Sequence, residues 1–284
     1  MRTLRAVAEL RAAVRGERAA GRSIGLVPTM GALHDGHLSL LRAARSECDV
    51  VVVSIFVNPA QFGPAEDLDS YPRDEQRDLA LAEAAGADLV YAPATAEVYP
   101  DGFATSVEVG GLTDVLCGAP ERRGAEHFRG VTTVVAKLLN SAEPDRCYFG
   151  QKDAQQAIVI RRMARDLDFD AEIVVLPTVR EPDGLAISSR NAYLAEDERE
   201  RAIALNRALE SATSAAADGS TPADAIAAAR ATLAEAGIEP EYLEARDASD
   251  LSVAESFNGR PVLVALAADL GGARLIDNTV IGGN

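Results

Sequence analysis

The chain has 284 residues, 48% of them hydrophobic and 25% charged, with a formal net charge of −16. That is the composition of a soluble globular protein with material for a sizeable core and one large or two ordinary domains. The acidic balance argues against non-specific nucleic-acid binding, which needs a basic surface to displace counterions. No apolar run reaches membrane-spanning length and no secretory h-region follows Met1, so the cytoplasm is the expected location.

From the N-terminus an Ala/Arg/Glu helix pattern leads into a short buried strand over residues 24–29, ended by a loop containing Pro28 and Gly31. Residues 37–47 place Leu38, Leu40, Leu41, Ala43 and Ala44 at amphipathic-helix spacing. The β-branched run at residues 50–57 is apolar on both faces, as a central parallel strand is. A helix near 73–85, a strand at 88–91, a helix near 131–140, a strand at 146–149, a helix at 155–167 and a strand at 172–176 follow. Repeated strand–helix–strand units imply an α/β fold with a doubly wound, Rossmann-like parallel sheet. After Asn191 the pattern changes. A long helix at 196–217, a helix opened by Thr221 as cap and Pro222 at its first position, and short strands near 242–245, 262–266 and 274–276 form a smaller C-terminal α+β domain. The expected division is residues 1–178 and 179–284, with the boundary near Val179. Cys48, Cys117 and Cys147 are too widely spaced for a disulfide framework or a CxxC metal site and read as buried free thiols.

Four segments carry candidate chemistry. The first, Met30-Gly31-Ala32-Leu33-His34-Asp35-Gly36-His37, follows a strand and opens a helix. Free N–H groups and the helix dipole make such a position attractive to phosphate, and His34 and His37 can donate to phosphate oxygens. Two of the three histidines of the chain fall here. The loop is neither a Walker A sequence nor a GxGxxG fingerprint, and no third ligand accompanies the histidines to make a zinc site. The second segment, residues 56–62, ends the Val-rich strand with Asn58 and Gln61, neutral amides suited to hydroxyl, amine or carboxylate groups. Turn chemistry alone also accounts for Asn58-Pro59. The third, Gly150-Gln151-Lys152-Asp153, places one of only two lysines after a strand, where it can hold a phosphate as a point charge. Asp153 reads equally as a helix cap. The other lysine, Lys137, reads as a snorkelling residue on an apolar helix. The fourth, Ile187-Ser188-Ser189-Arg190-Asn191, is a compact cluster of donors. These blocks leave open an adenylating ligase, a nucleotidyltransferase that stops after nucleotide transfer, and a nucleotide-binding module without turnover.

Together and in this order, PTMGALHDGH, FVNPAQF, YPRD, HFRGVTTVVAKL, FGQKDAQQ, ISSRN and the terminal RLIDN resemble the pantoate–β-alanine ligase family over essentially the whole chain. The resemblance implies ATP-dependent condensation of pantoate with β-alanine through a pantoyl adenylate, releasing AMP and pyrophosphate. It implies ATP contacts at Met30 to His37, Gly150 to Asp153, Val179 and Ile187 to Arg190. His37 matches the family's proton donor, His34 lies at the phosphates, and Lys152, Ser188, Ser189 and Arg190 are phosphate donors. Gln61 matches a contact to both acid and amine, Gln156 a pantoate contact, and Asn58 joins the substrate pocket. Mg2+ is expected with ATP, largely water-bound, with Asp78 as an outer ligand; no protein metal site is expected. A homodimer is implied, and no nucleic-acid or membrane partner. The chain departs from the family pattern at Glu121 to Phe128, which carries about two extra residues and lacks the usual proline. Arg122 and Arg123 therefore compete as counterpart of the family arginine, and His127 reads as either a site or a structural residue.

Overall fold

The computed structural model describes residues 1–63, 68–69 and 71–282. The chain divides into two compact units, Met1–Asp114 with Gly118–Gly150 and Val159–Pro177, and Val115–Cys117 with Gln151–Ile158 and Thr178–Asn284.

The first unit is built on a parallel sheet. Its strands are β1 (Arg2–Leu4), β2 (Ile24–Thr29), β3 (Val50–Ile55), β4 (Leu89–Tyr91), β5 (Arg146–Gly150) and β6 (Glu172–Leu176), in the order β1-β4-β3-β2-β5-β6. The helices between them are α1 (Val7–Ala19), α2 (Asp35–Glu47), α3 (Glu75–Ala84), α4 (Thr95–Val98), α5 (Gly124–Ala142) and α6 (Ala154–Asp166). Val50 to Val53 are buried without alternation, as a strand covered on both faces requires. Val27, Val51, Val53 and Val90 share one apolar layer with Leu38, Leu41 and Ala44 of α2 and Ala82 of α3. The chain winds outward from β2 through β3 to β4, then returns to place β5 on the other side of β2. This reversal puts the carboxyl ends of β2 and β5 at the topological switch point, where open α/β sheets bind ligands.

The second unit has an antiparallel sheet of β7 (Tyr242–Asp247), β8 (Val262–Leu270) and β9 (Ala273–Ile281), with α7 (Glu196–Ala217) and α8 (Pro222–Glu235). Leu205, Leu209, Leu233, Val264, Leu266 and Leu275 form its core. The Thr221 hydroxyl accepts the Asp224 N–H at 3.2 Å and Pro222 opens α8, as its sequence signature predicts.

The expected fold class holds, with differences at the edges. The N-terminus begins with an edge strand paired to β4, ahead of α1, the helix that the Ala/Arg/Glu pattern predicts. Helix α5 starts at Gly124, a full two turns before the apolar periodicity that marks it in the sequence. The terminal strands are longer than their apolar centres, because the β8–β9 hairpin extends pairing from Val262↔Ile281 to Leu270↔Ala273. All three cysteines are buried and free. Lys137 is half-buried, with its ammonium 4.6 Å from the centre of the Phe103 ring. No described helix is long and apolar enough to cross a membrane.

Candidate active site

At the end of β2 the Thr29 hydroxyl donates to Ser54 O at 2.6 Å and accepts the Gly31 N–H at 3.2 Å. Ala32 then adopts a left-handed conformation (φ 49°), which is unfavourable for a residue with a Cβ. A buried carboxylate holds it there. Asp78, in the first turn of α3 and 1% exposed, accepts the Ala32 N–H at 2.8 Å and the Leu33 N–H at 2.7 Å. Asp78 was expected as an outer ligand to Mg2+; its oxygens instead anchor this loop. Leu33 is fully buried beneath it, and His34, extended at φ −138°, ends the loop as the N-cap of α2.

The first turn of α2 presents backbone N–H groups that have no partner within the helix. Over it the His34 and His37 rings lie 4.1 Å apart, tilted by 31°. The His34 backbone N–H points at His37 Nδ1 at 3.4 Å, a long contact. With Nδ1 accepting, a neutral His37 ring carries its proton on Nε2. Gly36 leaves room for this packing: a Cβ there would meet His34 Cε1 at 2.9 Å and Nδ1 at 3.0 Å, so the ring would have to shift. A cavity of about 430 Å3 borders Met30 and Gly31, with Ile55, Phe56 and Pro93 on its walls.

The turn after β3 is held from within. Asn58 is 1% exposed. Its Nδ2 donates to Gln61 Oε1 and to Gly130 O, both at 3.1 Å. Its Oδ1 accepts from Ala60 N at 3.2 Å and from the Tyr99 hydroxyl at 2.7 Å. That uses the amide's full hydrogen-bonding capacity. Asn58, expected among the substrate contacts, therefore has its side chain committed to the protein, and it orients Gln61. Burial of Tyr99 pushes its hydroxyl up to about 12. Gln61 is half-buried; its Nε2 donates to Met30 Sδ at 3.1 Å, joining this turn to the histidine loop. His127 supports this turn: its Nδ1 lies 2.6 Å from Gln61 O, so Nδ1 carries a proton and donates. Of the irregular stretch before it, Gly124 to Glu126 form the first turn of α5.

In the second unit the Gln151–Asp153 turn precedes α6. Gln151, Lys152 and Gln156 are half-buried and Asp153 is exposed. Gln155, beside Gln156, is 7% exposed and structural, donating to Val115 O at 2.7 Å and accepting Cys117 N–H at 3.0 Å. Val179 and Ile187 are cross-strand neighbours, with Ile187 N–H donating to Val179 O at 3.0 Å and Arg180 bridging Ala186. The Ser188 hydroxyl accepts the Arg190 N–H at 3.2 Å and opens the short 3-10 helix Ser189–Tyr193. Ser188, Ser189 and Arg190 are all half-buried on this segment.

The pantoate–β-alanine ligase family model matches residues 2–280. The chain belongs to the pantoate–β-alanine ligase family. It is 55% identical over 285 residues to the pantothenate synthetase of Moorella thermoacetica, covering 99% of each chain. Its structure resembles that of pantothenate synthetase from Thermus thermophilus, with a TM-score of 0.92, 47% identity and full coverage of both chains. It also resembles pantoate–β-alanine ligase from Francisella tularensis complexed with beta-gamma ATP and β-alanine, with a TM-score of 0.79, 33% identity, and coverage of 99% of this chain and 97% of that one. Membership of this family makes the chain a ligase and sets aside the binding-module and simple nucleotidyltransferase readings.

Tyr99 and Gly130 act on the site without having been singled out from sequence, and Asp78, singled out only as an outer Mg2+ ligand, acts through the loop it anchors. Gly130 and Tyr99 left no local signal, since their partners lie 72 and 41 residues away. Asp78 looks like any acid in the first turn of a helix.

Proposed function

We infer that the chain carries out its family's ATP-dependent condensation of pantoate with β-alanine, and that the reaction runs through pantoyl adenylate. The pantoate carboxylate attacks the α-phosphorus, and the bond to the pyrophosphate leaving group breaks. The β-alanine amine then attacks the acyl carbon, expelling AMP and losing a proton. A carboxylate becomes a good acyl donor only after such activation. In-line attack at phosphorus needs positioning and N–H or cationic donors rather than a covalent nucleophile. The observation that carries this reading is the family match across residues 2–280, which spans every candidate segment.

In this reading Met30 to His37 hold ATP from the first unit, with His34 at the phosphates and the Nε2–H of His37 stabilising charge on the α-phosphate. Gly150, Gln151, Lys152, Asp153, Val179 and Ile187 are further ATP contacts, and Lys152, Ser188, Ser189 and Arg190 donate to the phosphates. Gln61 and Gln156 bind substrate, and Asn58 contributes through Gln61. Mg2+ comes with ATP and is held by phosphate oxygens and water. Residues 1–178 serve as the ATP- and pantoate-binding domain and residues 179–284 as a lid domain. The net charge of −16 supports a small-molecule enzyme without nucleic-acid partners. A cytoplasmic homodimer is the proposed working form.

The test is product analysis. AMP and pyrophosphate should form from ATP only when pantoate and β-alanine are both present over repeated turnovers, and pantoyl adenylate should accumulate when β-alanine is withheld. Formation of ADP, or turnover independent of pantoate, would overturn the reading.

A further inference from the structure

Strand β9 carries two adjacent buried polar residues, Asp277 and Asn278, 3% and 4% exposed. Consecutive side chains on a strand point to opposite faces, so these two serve different neighbours. The Asp277 carboxylate accepts from Arg180 Nη1 at 2.6 Å and Nη2 at 3.0 Å. The same Nη1 reaches Gly184 O at 3.1 Å, which fixes Arg180 across the turn of its own hairpin. That hairpin runs from Val179 to Ile187 and feeds directly into Ser188, Ser189 and Arg190.

Asn278 grips the other segment. Its Nδ2 donates to Gln151 O at 2.9 Å and to Lys152 O at 3.0 Å, and its Oδ1 accepts from Gln151 Nε2 at 2.8 Å. One amide thereby fixes two consecutive carbonyls and the side chain between strand β5 and helix α6. Orientation of those carbonyls sets the direction in which Lys152 leaves the backbone. The Asn278 backbone N–H also donates to Asp277 Oδ1 at 2.8 Å, so the oxygen that meets Arg180 Nη2 is tied to the backbone that carries the Asn278 amide.

We propose that Asp277 and Asn278 are positioning residues that set the Gln151–Asp153 turn and the Val179–Ile187 hairpin against one strand, and so align the phosphate donors carried by both. This rests on the phosphate role proposed above for Lys152, Ser188, Ser189 and Arg190. Ordinary fold stabilisation would lower the melting temperature and the active fraction without moving substrate affinities. Alignment of donors predicts a selective effect on ATP.

The experiment measures steady-state kinetics and melting temperature for Asn278→Ala, Asn278→Asp, Lys152→Ala and Asn278→Ala with Lys152→Ala. Asn278→Asp keeps the volume and the oxygen facing Gln151 but sets a second oxygen against two carbonyls, and it carries the test if the alanine variant does not fold. Loss of the two hydrogen bonds donated by Nδ2, which both Asn278 variants share, should raise the KM for ATP about tenfold. The KM for β-alanine should stay within about twofold, and in the Lys152→Ala background the Asn278 effect on ATP should shrink to about twofold or less, as it must if the two act through one another. If Lys152→Ala raises the KM for ATP while both Asn278 variants leave it unchanged, or if the effects of the two residues simply multiply, the positioning role is overturned and the phosphate role of Lys152 stands. If Lys152→Ala itself leaves the KM for ATP and kcat unchanged, the phosphate reading of the turn fails first and takes this inference with it.

Discussion

Gly130 lies against Ala60 so closely that a methyl group on Gly130 would sit 2.1 Å from the Ala60 carbonyl oxygen and 2.7 Å from Gln61 N. Helix α5 therefore meets the turn after β3 backbone to backbone, and the Gly130 carbonyl is one of the groups that fix Asn58. Gly130→Ala would push the turn away and carry Gln61 with it. Overpacking of this kind costs about 1–3 kcal/mol. The expected result is a folded protein with a lower melting temperature and a kcat/KM for pantoate reduced about 100-fold or more, since small misplacements of positioning groups cost that much. Unchanged kinetics in a protein that melts normally would show that the turn tolerates displacement.

Gly36→Ala should separate stability from activity. Alanine is favoured over glycine inside a helix by about 1 kcal/mol. The new methyl would nevertheless strike the His34 ring at 2.9 Å and displace it from its stack on His37. Stability should hold or rise while the KM for ATP rises, measured by thermal melting beside initial rates. A gain in stability with full activity would mean that the position of the His34 ring does not matter.

Asp78→Asn places an NH2 group where a carboxylate oxygen now accepts a backbone N–H from the loop. Leaving a buried donor unsatisfied costs about 1–3 kcal/mol, and the strained Ala32 conformation loses its anchor. The melting temperature should fall and the KM for ATP should rise. Raising Mg2+ should not restore activity; recovery at high Mg2+ would return Asp78 to the role of a metal ligand.

Alkaline pH should weaken the first unit. Burial pushes the hydroxyls of Tyr91 and Tyr99 up to about 12, above the ordinary tyrosine value of 10.0. Between those values the folded chain holds protons that the unfolded chain has released. Stability is then fully present below pH 10 and falls as pH rises towards 12. Melting temperatures over that range should decline, and Tyr99→Phe should show a shallower decline. An identical slope in the variant would assign the alkaline transition to other groups.

Much of the fold was legible because its signals are local. The β-branched run of β3 and the strand–loop–helix order around His34 need no knowledge of distant residues. The carboxyl ends of β2 and β5 fall at the switch point, and both had been marked by their Gly-containing turns. The hidden parts are pairings between distant segments. Asp78 stands 46 residues from Ala32, and the polar pair Asp277 and Asn278 reads as a strand end until Arg180 and Gln151 arrive. Asn58 misled for the same reason: an amide at a strand end suits a ligand, and only the approach of Gly130 and Tyr99 reveals that its bonds are filled. The N-terminal half of α5 lacks apolar periodicity because His127 and Gly130 there serve the neighbouring turn.

The contact between Gln61 Nε2 and Met30 Sδ has a consequence for how the site empties and fills. A thioether is a poor acceptor, so the Gln61 N–H is oriented without being strongly satisfied. In the proposed role, an arriving carboxylate oxygen would replace a weak partner with a charged one, and charge-assisted hydrogen bonds are roughly twice as strong as neutral ones. In that role the sulfur would work as a placeholder, keeping the amide aimed before substrate arrives and offering little resistance to exchange. A hydroxyl or carbonyl at position 30 would hold Gln61 more tightly, and substrate would have to compete for it.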